Sequence, residues 1–558
     1  MKKNKIILGL ISALILITNV SCKKAEPLTK APFTKGVNLT LWFEAWQPSI
    51  PNLKLYDKTD FERLKAMGVD VIRIPIHFDM FIGDSKTGQI KPIIFDYLDK
   101  ACDWAEELGI YLIIDDHSFN SGAYPLSKYV EQHLQKTWPQ IAKRYKKRSN
   151  FIMYEILNEP QIPQEDWYGI QQRTIDLIRS IDKKHTIVAT AADWGSLAAL
   201  TQMEPYADKN IIYTYHFYEP FLFTHQGASW TDKITASLKD IPFPYNKDRM
   251  PVFGKPVKGT GIEAQLKNLY PRSANAKGIK TSLQRAKDYS DKYNVPVWCG
   301  EMGVHNLVAP VVDRQVWYKT VADTMYELNI PFCVWGYHGS FGLFKKDSNS
   351  RYPNDLEKEV VEGVGFTMPA LLEGDAAAAA AFPITIFDDF GGKGVRINSW
   401  SCAMDSNCSK DKAEGDFSIS MSDQKLYGAL SLELDQVDLS GLNTLQDKAY
   451  LTMKMKFTQP EQKFQLRFVD NDAGNGIVIP WRYAVDMNSN DYELNKWVDI
   501  ELPLNSFADI GGWSNSLNKW FDSTGTFEWD RVVTLEFAAE TGDVPDEYLV
   551  DDIKIVLK

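Results

Sequence analysis

The sequence predicts an α/β fold, a (β/α)8 TIM barrel, followed by an all-β sandwich. Three observations carry this. Between residues 35 and 374, apolar strand-like runs alternate eight times with helical segments, and eight is the number that closes a parallel barrel. From Pro383 onward the pattern changes to short alternating runs separated by Gly, Asn and Asp turns. Charge changes at the same place: residues 381–558 carry 30 acidic against 16 basic side chains, a balance of −14, and the remainder of the chain is at +3. With no basic face to neutralise phosphates, nucleic-acid binding is not expected.

The chain opens with a targeting pattern. Lys2, Lys3 and Lys5 precede an apolar run, Ile6 to Ile17, that is too short to span a bilayer. Ser21-Cys22-Lys23-Lys24 follows and resembles a bacterial lipoprotein signal. That resemblance implies lipidation of Cys22 and removal of residues 1–21. The expectation is an exported protein, lipid-anchored to a bacterial membrane at the periplasm or cell surface, and otherwise secreted. Residues 22–34 then form a tether.

The barrel elements follow in order. Strands are expected at Lys35–Thr40, Val69–Pro75, Ile110–Asp115, Phe151–Pro160, Thr186–Thr190, Ile211–Tyr215, Pro296–Gly300 and Pro331–Trp335. Helices are expected at Asp60–Met67, Phe95–Leu108, Val130–Tyr145, Trp167–Ser180, Lys280–Tyr293 and Val312–Leu328, with short helical pieces at Leu356–Val361 and Pro369–Glu373 closing the ring. An aromatic, proline-rich excess between Glu219 and Gly278 reads as a long loop at the C-terminal face, where it would shape a cleft. An alanine-rich linker spans 375–382, and the sandwich occupies 383–558. Cys102, Cys299 and Cys333 lie in apolar runs and read as buried thiols. Cys402 and Cys408 lie in a polar stretch and could form a small disulfide in an oxidising compartment.

A parallel barrel presents functional side chains at strand C-termini. The polar residues there are Arg73, His117, Asn158, Glu159, His216, Tyr218 and Glu301, with Trp335 beside them. Two carboxylates over one cleft suit acid/base and nucleophile work on an acetal, with one protonated and the other ionised. Arg73 and Tyr218 can donate to the nucleophile, Asn158 can bond the hydroxyl beside the reacting carbon, and Trp335 offers a floor for a sugar ring. Trp42, Glu44 and Trp46, after the first strand, are candidates for a sugar subsite. His225 and His305 could line the cleft. No cluster has the look of a catalytic metal site.

Six motifs carry a resemblance across the barrel: Ile72-Arg73-Ile74-Pro75, Asp115-Asp116-His117, Leu157-Asn158-Glu159-Pro160, His216-Phe217-Tyr218, Gly300-Glu301-Met302-Gly303 and Val334-Trp335-Gly336. They resemble glycoside hydrolase family 5, the cellulase family of the retaining clan. The resemblance implies Glu159 as acid/base, Glu301 as nucleophile, and double displacement through a covalent glycosyl-enzyme without a cofactor. One departure is Ser118, where many relatives have a second histidine. The C-terminal segment looks like jelly-roll carbohydrate-binding modules, nearest family 11, whose terminal strands often share calcium. Asp388 and Asp552, with Asp389 and Asp551, would suit that ion. Trp400, Trp481, Trp513, Trp520 and Trp529 are candidates for stacking on sugar.

The expected activity is an endo-β-1,4-glucanase acting as a monomer on a β-linked polysaccharide or oligosaccharide. Mannanase, xyloglucanase or exo-acting β-glucanase action stays open on the same barrel. A non-catalytic surface glycan-binding lipoprotein is the alternative from another class.

Overall fold

The computed structural model describes residues 27–44, 52–119, 125–346, 348, 350–371, 382–474, 477–515, 517–523, 525 and 527–558. The signal segment, Cys22, Trp46 and Ala376–Ala381 lie outside the described residues. Among the described residues, no helix is long and apolar enough to cross a membrane.

Eight parallel strands close a barrel: β1 (Lys35–Asn38), β2 (Val71–Ile76), β3 (Tyr111–Asp116), β4 (Ile152–Glu155), β5 (Thr186–Thr190), β6 (Ile211–Phe217), β7 (Val297–Met302) and β8 (Phe332–Val334). Closure comes from β1 pairing with both β2 and β8, Gly36 lying opposite Val71 and Cys333. Gly36 has no alternative residue there: a Cβ would sit 2.0 Å from the Val71 carbonyl oxygen.

Strand periodicity sorts the side chains into layers. One set points outward under the helices, including Ile72, Ile74, Leu112, Ile114, Ile152, Tyr154, Ile187, Tyr213 and Tyr215, all buried. The alternate set points inward. Its lower layer is apolar: Val71, Ile113, Met153, Val188, Ile212, Trp298 and Cys333 pack together and are closed from below by Phe33. Phe33 meets Trp298 edge-on at 5.6 Å. Two residues further along six of the strands the interior turns polar, at Asn38, Arg73, Asp115, Glu155, Thr190 and Thr214. The apolar layer excludes water from beneath, and the polar layer becomes the floor of the site.

The surrounding helices are α1 (Lys58–Ala66), α2 (Pro92–Leu108), α3 (Ser127–Tyr145), α4 (Gln164–Ile181), α5 (Leu197–Gln202), α6 (Ala276–Tyr293), α7 (Val311–Leu328) and α8 (Lys358–Gly363). Asp57 caps α1 in a reciprocal box with Asp60, and Gly109 in the left-handed region ends α2. No helix is expected from the sequence at α5, a short Ala/Leu segment that follows β5 after a six-residue connection. The expected 219–278 loop is partly helical and tied down: Arg249 donates to both Asp313 oxygens at 3.0 and 2.7 Å, and Phe243 N–H donates to the same carboxylate at 3.0 Å.

The C-terminal strands are β9 (Ile384–Phe387), β10 (Arg396–Trp400), β11 (Ala403–Cys408), β12 (Ser418–Ser422), β13 (Ala429–Glu433), β14 (Ala449–Phe457), β15 (Lys463–Gly474), β16 (Ile477–Asn488), β17 (Trp497–Pro503), β18 (Ala508–Ser514), β19 (Lys519–Phe521), β20 (Val532–Ala538) and β21 (Tyr548–Leu557). They form two antiparallel sheets, β11-β12-β21-β14-β17 with β9 on β21, and β10-β13-β20-β15-β16-β18-β19. Leu430, Leu432, Phe464, Leu466, Phe468, Leu535 and Phe537 fill the space between the sheets with Met453, Met455 and Ile555. Trp529 belongs to this core, Trp481 is also buried, and Trp400 and Trp520 reach solvent.

Three expectations are corrected here. Cys402 and Cys408 are free thiols, not a disulfide. Cys402 precedes β11 and Cys408 ends it, so extended backbone separates them by about 20 Å at strand rise, far beyond disulfide reach. Asp388 and Asp552 do not converge on a calcium site, because each faces a lysine: Asp388 takes Lys54 Nζ at 2.5 Å and Asp552 takes Lys554 Nζ at 2.5 Å. Asp389 accepts backbone N–H from Phe417 at 2.9 Å, and Asp551 accepts from Ala413 at 2.9 Å. Trp42 is core rather than sugar platform. It is fully buried, donates Nε1–H to the Leu53 carbonyl at 3.0 Å and stacks on Trp104.

Alkylation of the unreduced, denatured protein should modify both Cys402 and Cys408. Recovery of a linked peptide containing the two would contradict this arrangement.

Candidate active site

Arg73, from β2, is fully buried in the polar layer, and its guanidinium organises that layer. Nε and Nη2 donate to Glu155 at 2.7 and 2.9 Å as a bidentate fork. Nη1 donates to Asn38 Oδ1 at 3.0 Å and to Glu301 Oε1 at 2.8 Å. Nη2 also reaches Asn158 Oδ1 and Asp115 Oδ2, each at 2.9 Å. Every N–H of the fork therefore has an acceptor. Asn38 and Glu155 were not singled out from the sequence. Their signal was phase: each lies two residues beyond an interior position, Gly36 or Met153, so each had to point inward.

Glu301, at the end of β7, is buried and receives two strong donors. Arg73 donates to one oxygen, and the Tyr218 hydroxyl donates to the other at 2.9 Å. His216 Nδ1 lies 3.4 Å from the second oxygen. Burial raises the Glu301 carboxyl, and His216, Arg73 and Tyr218 pull against it.

Glu159 lies past the end of β4, where the chain continues through Ile156 and Asn158. Asn158 N–H donates to the Asp116 carbonyl at 2.8 Å, and the Ile156 carbonyl accepts from Trp138 Nε1 at 3.0 Å. The backbone then turns left-handed at Glu159, with φ of 39°. A non-glycine residue there stores strain on the order of 1–3 kcal/mol, a cost typical of functional positions. The turn delivers the carboxylate to His216 Nδ1 at 2.7 Å, with 19% of the side chain still exposed to the cleft. Burial pushes Glu159 up to about 7, Arg73 opposing and Glu155 reinforcing. Burial also lowers His216, with the charges of Glu301 and Glu155 opposing.

A second chain fixes Asn158. Burial holds His117 well below the usual imidazole range, and its ring contacts Asp115 Oδ2 through Nδ1 at 2.6 Å. Its Nε2, 3.2 Å from Asn158 Nδ2, accepts from that amide. With its oxygen on Arg73 and its nitrogen on His117, the Asn158 amide has one orientation. His117 also stacks on Trp335 at 5.5 Å and 11°, and His77 stacks on the other side at 5.7 Å. Trp335 is half-buried with its ring at this wall.

All eight expected site residues thus meet at one mouth. Glu159, His216 and Glu301 each bring a ligand-type atom within 4.8 Å of the others, as do the buried Glu44, His77 and His117. In both groups hydrogen bonds already engage ring nitrogens, His216 Nδ1 on Glu159 and both His117 nitrogens on Asp115 and Asn158. His225 and His305 are buried around Phe341, at 5.4 Å each, under the exposed Trp230.

Residues 29–340 match the family model described as cellulase, glycosyl hydrolase family 5. Endoglucanase 3 of Fibrobacter succinogenes is 31% identical over 377 residues, which is 63% of this chain and 55% of that protein. The chain therefore spans about half the length of that relative. Endoglucanase C of Acetivibrio thermocellus is 25% identical over 329 residues, 56% of this chain and 94% of that protein. The crystal structure of endoglucanase Cel5A from Thermotoga maritima aligns with 24% identity and a TM-score of 0.49, covering 60% of this chain and 96% of that one. With the family model matched over more than half of its length, and the matched stretch carrying the buried carboxylate pair, the chain belongs to the cellulases of glycosyl hydrolase family 5.

Proposed function

We propose that this protein is a retaining β-glycoside hydrolase that cleaves internal β-1,4 links of a glucan by double displacement. The observation that carries the reading is the separation of the two carboxylates: an oxygen of Glu159 lies within 4.8 Å of one of Glu301. So close an approach supports the narrow spacing of retaining enzymes over the wider gap that holds an inverting enzyme's water. The unequal donor sets support the division of labour. Glu301, held by Arg73 and Tyr218, attacks the anomeric carbon. Glu159, lifted by burial, gives its proton to the departing glycosidic oxygen. Esterification of Glu301 then removes a neighbouring negative charge, so Glu159 becomes the stronger acid and, once ionised, the base that activates water. Trp335 supplies the apolar floor, and the fixed Asn158 amide meets the hydroxyl next to the reacting carbon.

The names of the relatives, endoglucanases, favour internal cleavage of a glucan. Export and anchoring through a lipidated Cys22 complete the reading, on the strength of the N-terminal pattern. The sandwich, residues 383–558, serves as a carbohydrate-binding module. Exposed Trp400 and Trp520 are its candidate sugar platforms, Trp520 backed by Arg482 at 5.3 Å.

Glu159→Gln should lower kcat on unactivated glucan by roughly 10²–10⁴-fold, the usual worth of a positioned acid. Glu301→Gln should abolish turnover, and both variants should keep the wild-type circular dichroism spectrum. Proton NMR of the first product should show the anomer of the substrate; the opposite anomer would remove the double-displacement reading. The rate should fall as pH rises through about 7, where Glu159 loses its proton. It should also fall at low pH, as Glu301 gains one. For an aryl glycoside whose leaving group needs no proton, kcat/KM of Glu159→Gln should lose the alkaline limb, and persistence of that limb would assign it to another group.

A further inference from the structure

The sandwich does not merely follow the barrel in sequence. The turn between β9 and β10 is docked onto the catalytic face, at the β1–α1 connection. Phe390, in that turn, is 5% exposed and belongs to the barrel's own hydrophobic cluster, meeting Tyr97 of α2 edge-on at 6.0 Å. Ion pairs flank it. Lys54 meets Asp388 at 2.5 Å, and Lys393 meets Asp57 at 2.7 Å and Asp60 at 3.5 Å, the two acids that cap α1. The turn is close-packed, since a Cβ on Gly392 would lie 1.9 Å from the Thr385 carbonyl oxygen. A second contact comes from the connection after β8, where Arg351 donates to the Asp530 carbonyl at 2.6 Å and pairs with Asp438 at 3.5 Å.

This docking leads to the cleft through one side chain. Asn52 Oδ1 accepts the N–H of Ile397, in β10, at 3.4 Å, and Asn52 Nδ2 donates to the Leu41 carbonyl at 3.1 Å. Leu41 sits in the left-handed region with φ of 66°, and its N–H donates to the Glu44 carboxylate. Glu44 is buried beside His77 and His117, and His117 is the ring stacked on Trp335.

We propose that the sandwich is a structural part of the catalytic site, and that its β9–β10 turn and β10 hold Asn52 and Lys54, and through Asn52 the Leu41–Glu44 turn, so that Glu44 stays against His117 at the wall of the sugar site. Asn52 is the positioning residue that links the two. This rests on the hydrolase reading, and it separates the module from a tethered binding domain. A tethered domain acts only on polymers long enough to reach it. A brace acts on every substrate, including one that never leaves the barrel.

The test uses the full chain and a short soluble substrate, cellotetraose. Lys54→Glu places like charges at the docking turn, and Phe390→Ala removes its anchor. Each should raise KM by roughly fivefold, the lower end of usual couplings between sites, with kcat held within a factor of about two. Asp388→Lys added to Lys54→Glu should restore the wild-type KM. Unchanged KM in both single variants, or a fall in kcat alone, would overturn the proposal. Scanning calorimetry gives a readout independent of substrate. Wild type should unfold in one transition spanning both modules, and Phe390→Ala should separate them. Two transitions in the wild type would equally overturn the proposal. Failure of wild type to release sugar would count against the hydrolase reading alone, leaving the calorimetric result to decide this one.

Discussion

The structure depends on burying one guanidinium among three carboxylates. Arg73 is sealed between the apolar lower layer of the barrel and the cleft, and Asp115, Glu155 and Glu301 surround it. A buried charge is tolerable only if paired and fully hydrogen-bonded, and losing one partner of such a set costs about 3–5 kcal/mol. The eight-strand barrel meets this demand because its inward-facing side chains converge from every direction on one level. No single helix or hairpin could bring Asn38, Glu155, Asn158 and Glu301 to one fork. Since Glu301 takes a hydrogen bond from that fork, fold stability and nucleophile orientation share an interaction.

The chemistry follows from what Arg73 does not touch. Glu301 lies on the fork and on Tyr218; Glu159 lies one layer higher, out of hydrogen-bond reach of the fork, and contacts the His216 ring. Both carboxyls are lifted by burial and both feel the opposing charge of Arg73, but only Glu301 takes hydrogen bonds from Arg73 and Tyr218. The left-handed turn at Glu159 creates this inequality, because it carries the carboxylate out of the floor and up to His216. Local strain of this kind persists only where the surroundings enforce it. Here the Asn158–Asp116 backbone bond and the fixed Asn158 amide do so.

The two modules meet at loops of the catalytic face rather than along the helical sides of the barrel. The contact combines a buried aromatic with partly exposed ion pairs, so most of its worth lies in Phe390, and the ion pairs set its register. Asp388 serves this contact, with Lys54 in the place where a calcium ion was expected. The same residue type suited either role, and only the position of a lysine 334 residues away in sequence decided between them.

The sequence by itself determined the barrel's strand count, its strand positions and the carboxylates at their ends, because alternation of buried runs and helices is a local property. It also determined that Arg73, Asn158, Glu159 and Glu301 lie at one mouth, since strand C-termini of a parallel barrel share an end. Glu155 and Asn38 were hidden inside short runs and become legible only when the interior phase of each strand is known. The failed disulfide has a similar origin: a polar stretch holding Asp, Ser and Asn between its cysteines read as loop, and pairing with β12 made it a strand that holds its cysteines apart. Trp42 likewise could not be sorted from composition, because core and sugar platforms use the same ring. What the tertiary structure alone decided was which partner each polar group meets: Arg73 for Glu301, His216 for Glu159, and lysine for Asp388. Those pairings span tens to hundreds of residues and depend on distances of an ångström or less, which no local pattern encodes.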